Sequence, residues 1–245
     1  MGKCSLLSHA CFPELPFFQP GKFWVNCYLK RQLAERQISP NDYSKMKQEI
    51  IQHLSLDPKL GSIIATTKVD WPDVGDDIYY NLIRAIVFQQ LSGKAASTIH
   101  GRFIGLFPEA YPYPEPLLAL DLPDLRAVGL SRQKATYIQN VAEFFQQENL
   151  IGKDLADMDD EAVIQYLTQI KGVGRWTVEM LLMFTLNRPD VLPLDDLGIQ
   201  QAIQLLYGFE EKGRGLKQRM MEIAEPWRPY RTYASMFLWR WKDGN

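Results

Sequence analysis

An aspartate at the mouth of a helix can do two things, and the stretch Leu192-Pro-Leu-Asp195-Asp196-Leu-Gly198-Ile199 places one just where a helical pattern begins. As a cap, Asp195 or Asp196 satisfies amides of the first turn. As a reactive group, a carboxylate ending an exposed loop stabilises positive charge that develops on a substrate, or orients a water. Taken alone, capping is the better reading of this stretch.

A second group of residues changes that balance. Leu167-Thr168-Gln-Ile170-Lys-Gly172-Val173-Gly174-Arg175-Trp176-Thr177-Val178 ends one helix near Gln169, turns through Gly-Val-Gly and starts an apolar helix at once. Gly172 and Gly174 allow a tight turn and the close approach of a ligand, which leaves the amides at the second helix's N-terminus free. Those amides, with the positive end of the helix, form a seat for phosphate. A bare Gly-x-Gly is more often an ordinary connection. With Ile170, Val173 and Trp176 around it, the stretch reads as a helix-hairpin-helix.

The elements that position these residues are helical. From Ser39-Pro40 onward the apolar spacing has a helical period, with Gly, Pro or Asp between short segments. The pattern predicts helices over 41–54, 57–66, 77–91, 93–107, 131–147, 159–169, 174–186, 197–207, 213–224 and 229–241. Ala135, Ile138, Val141, Ala142 and Phe145 share one stripe of the fifth. Pro108 to Pro116 and Asn187 to Asp195 read as loops, since their prolines forbid a continuous helix. The expected fold is all-α. Residues 1–40, rich in proline and aromatics, read as an irregular N-terminal extension and 41–245 as the core.

Composition narrows the functional classes. At 245 residues the chain can bury a core without disulfides or a structural metal. Cys4, Cys11 and Cys27 suit a reducing compartment and fall short of the four thiolates of an iron–sulfur cluster; the histidines His9, His53 and His100 lie far apart. The start of the chain is a poor secretory signal, position 6 breaks the myristoylation pattern and no apolar run nears the length of a membrane span, so an intracellular protein with no membrane partner is expected. The net charge of −2 announces no polyanion partner, so any such site must be local. Glu211 to Lys242 holds eight basic residues against three acidic, and Glu143 to Glu161 holds seven acidic against one Lys. Either run alone is a solvated helix face; together they suggest one basic face.

Hairpin and aspartate together resemble the helix-hairpin-helix (HhH-GPD) superfamily of DNA base-excision glycosylases. Phe88-Gln89-Gln90-Leu91-Ser92-Gly-Lys-Ala-Ala96 is similar to the family's helix end that enters DNA at the lesion, and Gly129-Leu-Ser131-Arg-Gln-Lys134-Ala135 to its backbone-contacting turn. Glu225-Pro-Trp-Arg-Pro-Tyr-Arg-Thr-Tyr-Ala234, closing with Trp239, is similar to the C-terminal segment of the DNA-3-methyladenine glycosylase II branch. The resemblance covers about residues 41–242. It implies two helical lobes with the active cleft between them, and a catalytic carboxylate at Asp196, which directly precedes Leu-Gly-Ile; Asp195 is left to cap or to stay in solvent.

Further roles follow from the same resemblance. Trp176 and Trp239 match pocket tryptophans, with Met180 where an aromatic residue is usual and Gln89 beside them. Trp71, Trp227 and Trp241 are left as core. Gln90 or Leu91 would plug the hole left by a flipped nucleotide, although Leu91 reads equally well as core packing. Ser92, Ser131, Lys134, Gly172, Gly174, Arg175 and Thr177 would contact DNA. Main-chain oxygens of Thr168, Ile170 and Val173 would hold a Na⁺ or K⁺ ion, with no other cofactor and no iron–sulfur cluster. Bifunctional members carry a lysine where this chain has Trp176, so a monofunctional hydrolase is expected. Its partner would be double-stranded DNA with alkylated bases, bound by a monomer in the cytoplasm at the nucleoid, or in the nucleus of a eukaryote. About 40 leading residues cannot hold the extra N-terminal domain of the bacterial branch, so a core-only version is expected. The competing readings are a glycosylase for another damaged or mismatched base, a non-catalytic lesion-binding module, and a helical interaction scaffold.

Overall fold

The computed structural model describes residues 40–71, 77–151, 155 and 157–244. The extension expected over 1–39, and the three cysteines with it, lie outside the described residues. Among the described residues the chain is helical, with no strand. No helix among them is long and apolar enough to cross a membrane.

Two apolar cores divide the helices. The first gathers α3 (Ile78–Phe88), α4 (Gly93–Ile104), α5 (Pro114–Leu118), α6 (Leu122–Ala127), α7 (Arg132–Gln147), α8 (Asp160–Leu167) and α9 (Arg175–Phe184). The second is made by α1 (Pro40–Leu54) and α2 (Pro58–Ile64) with α10 (Leu197–Tyr207), α11 (Gly213–Ala224) and α12 (Arg231–Lys242). From Pro40 onward the chain therefore leaves one lobe, builds the other and returns, crossing at Val191 and Leu192, which belong to different cores. Trp239 packs against both cores and marks the seam.

At the centre of the first lobe stands α3. Six of its eleven residues are buried, and it packs on α4, α7 and α9. Each large aliphatic side chain buried there contributes roughly 1.5–3 kcal/mol. The α7 stripe read from the sequence is the face that α7 buries, and Ser131 caps this helix by accepting from the Lys134 amide at 3.2 Å.

Three expectations need correction. First, α3 stops at Phe88 rather than 91, because Gln90 adopts φ +55° and the helix end is closed from outside by Lys134. Second, the segment Pro108 to Pro116 is not all loop: a 3₁₀ turn spans Pro108–Ala110 and α5 begins at Pro114. Proline at a first helical position forfeits only an amide that has no intrahelical partner anyway. Third, α6 was not foreseen. A reciprocal cap between Asp121 and Asp124 makes this six-residue helix. The loop from Asn187 to Asp195 is extended as expected. It is pinned by Thr232, which donates its amide to Pro189 O (3.0 Å) and its hydroxyl to Arg188 O (2.6 Å) while accepting from the Val191 amide (3.0 Å).

Candidate active site

The hairpin is built by its glycines and its buried apolar flanks. Ile170 and Val173 are buried, and Val173 N donates to Ile170 O at 3.0 Å, closing the turn. At Gly172 φ is +106°, and a Cβ there would lie 2.2 Å from Tyr137 Cγ, so the ring of α7 occupies the space any side chain would need. Gly174 is different. Its backbone is extended, and nothing lies within 4 Å of where a Cβ would stand, so it can be approached from outside. It is the N-cap of α9 and supplies no capping side chain, which leaves the first-turn amides for a ligand.

A cavity opens at the first turn of α9. It has a volume of about 450 Å³ and is lined by Ala85, Phe88, Gln89, Gln90, Trp176, Thr177 and Met180, so the tip of α3 faces the start of α9 across it. Gln89 Nε2 donates to Thr177 Oγ1 at 3.4 Å across one wall. Gln90 and Leu91 stand exposed, Leu91 at 39%, and the core-packing alternative for Leu91 falls. Ser92 is also exposed, at the N-cap of α4 but without a side-chain capping bond.

The Trp176 ring is shared between this cavity and Asp196. Its Nε1 donates to Asp196 Oδ2 at 2.8 Å, and Trp239 Nε1 donates to Asp196 Oδ1 at 2.8 Å. The Ile199 amide also donates to Oδ1, at 2.8 Å. Asp196 thus caps α10 and receives both indoles. Asp195, expected to cap or to stay in solvent, is exposed and ion-paired with Lys217 of α11. Trp239 comes this close because α10 has Gly198 in its first turn, where a Cβ would lie 3.0 Å from both Asp196 Oδ1 and Trp239 Cδ1. Phe184, two turns beyond Trp176 on α9, tilts against Trp239 with 6.1 Å between ring centroids.

The predicted cationic contacts are partly engaged within the protein. Lys134 Nζ donates to Val87 O (2.7 Å) and Gln89 O (2.8 Å), holding the tip of α3, and burial lowers its pKa. Arg175 is bound by Glu161 and Glu179. Four of the eight basic residues after Glu211 also meet carboxylates: Lys217 on Asp195, Arg219 on Glu222, Arg228 on Asp190 and Glu225, and Arg231 on Asp190. In the hairpin the Thr168 hydroxyl turns back to Ile164 O (2.7 Å), so only main-chain oxygens are offered by Thr168, Ile170 and Val173. Among the described residues no group of three or more His, Cys, Asp or Glu side chains is placed to hold a metal.

The family model described as "HhH-GPD superfamily base excision DNA repair protein" matches residues 83–229, which span the α3 tip, the hairpin and Asp196. The chain belongs to this superfamily. It is 39% identical over 164 residues to DNA-3-methyladenine glycosylase 1 of Schizosaccharomyces pombe, an alignment covering 66% of this chain and 71% of that one. It is 36% identical over 169 residues to the putative DNA-3-methyladenine glycosylase YfjP of Bacillus subtilis, covering 66% of this chain and 58% of that relative's length. The solved structure of the S. pombe 3-methyladenine DNA glycosylase Mag1 in complex with abasic DNA superposes with a TM-score of 0.66 at 35% identity, over 78% of this chain and 95% of that one.

As an HhH-GPD protein the chain brings together Gln89, Gln90, Trp176, Thr177, Met180, Trp239 and Asp196, read from scattered segments, around the first-lobe cavity and the carboxylate that Trp176 and Trp239 share. Sequence reasoning missed four residues there. Ala85 and Phe88 line the cavity, and Phe184 flanks Trp239. Of these, Phe184 had a signal: with Trp176 and Met180 it forms an i, i+4, i+8 row on α9. The fourth is Glu179, 5% exposed, whose carboxyl burial pushes up to about 7 against the opposing pull of Arg175.

Proposed function

We propose that this protein is a monofunctional DNA glycosylase of base excision repair that removes alkylated purines. The observation that carries the reading is the pair of indole N–H groups at 2.8 Å on the two oxygens of Asp196, beside a cavity walled by Trp176, Phe88 and Met180. A base within a duplex is out of reach, so the nucleotide must be flipped out, at a cost of a few kcal/mol that is smaller for a damaged base. Exposed Gln90 and Leu91, on a tip held by Lys134, are placed to fill the gap.

Alkylation at N3 of adenine or N7 of guanine makes the base cationic. That weakens the glycosidic bond and attracts the base to aromatic faces, at about 0.5–2 kcal/mol per ring. As the C1′–N bond breaks, the base leaves with the electron pair and the sugar gains oxocarbenium character. The Asp196 carboxylate stabilises that charge, orients the water that adds to C1′ and takes the proton that this water gives up, while the alkylated base leaves neutral. The indole donors fix its orientation. No lysine follows the Gly-x-Gly-x turn, so no Schiff base forms there, and an abasic site with an intact strand is the product.

Main-chain carbonyls of Thr168, Ile170 and Val173 would hold a Na⁺ or K⁺ ion against a DNA phosphate. Neutral oxygen donors on one tight turn suit such a hard monovalent ion. The test is Asp196→Asn. Through its one oxygen asparagine keeps the cap and the Trp239 bond, and it gives up only the bond from the half-exposed Trp176 indole, because its NH2 cannot accept; the fold and duplex binding are retained, while single-turnover base release falls by about 10²-fold or more. A variant with normal release refutes the role of Asp196.

A further inference from the structure

Glu179 is an acid where an acid is costly. It sits on the buried side of α9, and its Oε2 has no hydrogen-bond partner among the described residues. A buried, half-satisfied carboxylate lowers stability relative to an amide or an apolar residue of the same size. Its one hydrogen bond among the described residues leads out of the core: Oε1 accepts from Arg175 Nε at 3.1 Å. The remaining fork of that guanidinium meets Glu161, in the first turn of α8, whose oxygens accept from the two terminal nitrogens at 3.1 and 2.7 Å.

Those two acids differ in kind. The Glu161 pair is about half exposed on both sides, so it contributes little and exchanges readily. The fork it fills fits two phosphate oxygens as well as two carboxylate oxygens. Glu179 lies behind, where no phosphate reaches. Arg175 is also the first residue of α9, beside the uncapped amides that follow Gly174.

We propose that Glu179 is a positioning residue for the hairpin's phosphate seat: from inside α9 it holds the Arg175 guanidinium in place, while Glu161 fills the outer fork until a DNA phosphate exchanges for it. This rests on the hairpin being the DNA-binding face. The charged groups facing Glu179 are Arg175 on its own helix, Glu161 of α8, and Asp195 of the loop before α10, itself paired with Lys217.

The test is binding of an undamaged duplex oligonucleotide at pH 8, above the raised value of Glu179, followed by fluorescence anisotropy across a range of salt. Arg175→Ala weakens binding and lowers the salt slope by about one phosphate contact. Glu179→Gln weakens binding several-fold in the wild-type background and has no further effect on top of Arg175→Ala. Glu161→Gln tightens binding several-fold. Melting temperature separates this from a structural role. In the fold Glu179 stays protonated up to about pH 7 against an ordinary 4.5, so its ionisation costs stability that grows between those values and persists above them. Glu179→Gln therefore melts at or above the wild type at pH 8. Wild-type affinity in Glu179→Gln, equal weakening in both backgrounds, loss of affinity together with a lower melting temperature, or unchanged affinity in Glu161→Gln each overturns the proposal. Because undamaged DNA is the probe, the outcome is independent of base release, which alone decides the glycosylase reading.

Discussion

Asp196 receives three N–H groups, two of them from indoles, and one of those rings, Trp176, also lines the cavity. The arrangement is tight at Gly198. Replacing it with alanine adds a methyl 3.0 Å from both Asp196 Oδ1 and Trp239 Cδ1. Better helix propensity gains up to about 1 kcal/mol, and crowding costs about 1–3 kcal/mol. The expected result for Gly198→Ala is a melting temperature near wild type with base release down about tenfold, because what moves is the Trp239–Asp196 bond. Unchanged release would mean that this bond does not matter to the reaction. At this scale the two glycines of the hairpin were legible from type and spacing, whereas Asp196 and Trp176 stood out only through the family resemblance. That both indoles end on one carboxylate was not legible, because Trp239 is 43 residues from Asp196 and no local period links them. Glu179 was hidden for the opposite reason: it sits inside the apolar run of α9, among Val178, Leu181 and Leu182, and only burial shows what its charge costs.

Elements were legible where their signals are local. The bounds of α10 and α11 match the sequence reading because a capping residue or a glycine stands at each start and a glycine follows α10. The end of α3 was not legible. It is set by an ammonium group 45 to 47 residues away, and nothing near Phe88 announces it. The short helices α5 and α6 were lost among prolines that open them rather than break them. The hairpin joins a local signal to a distant contact: Gly172 is required by its positive φ and, equally, by the Tyr137 ring of α7. Gly172→Ala must push that ring aside and hold a strained backbone, for an expected loss of about 2–4 kcal/mol in urea unfolding with a parallel loss of duplex binding. Wild-type stability would show that the Tyr137 contact is soft and that the hairpin is not fixed by α7.

At the scale of the whole molecule, two cores meet along a seam made by Trp239, the Asn187–Asp195 loop and Thr232. Thr232 is 1% exposed and its hydroxyl is both donor and acceptor to that loop. Thr232→Val keeps the shape but orphans the Val191 amide, so a loss of about 1–3 kcal/mol is expected in urea unfolding; base release falls by more than that loss of stability accounts for, since the loop leads directly into Asp196. Equal falls would confine Thr232 to folding. The two-lobed arrangement was legible only through the family resemblance, because the chain leaves and re-enters one lobe and no composition shift marks the crossing. Charge was legible as a count and not as a surface: the excess of basic residues after Glu211 is partly spent on Asp190, Asp195, Glu222 and Glu225. The most direct measurement for the whole account is the release of free base from methylated duplex DNA, resolved by chromatography and followed by strand analysis with and without alkali. The account predicts free 3-methyladenine or 7-methylguanine with wild type, strand breaks only after alkali, and no release with Asp196→Asn. Binding to damaged DNA without release of any base, or strand breaks before alkali, would contradict it.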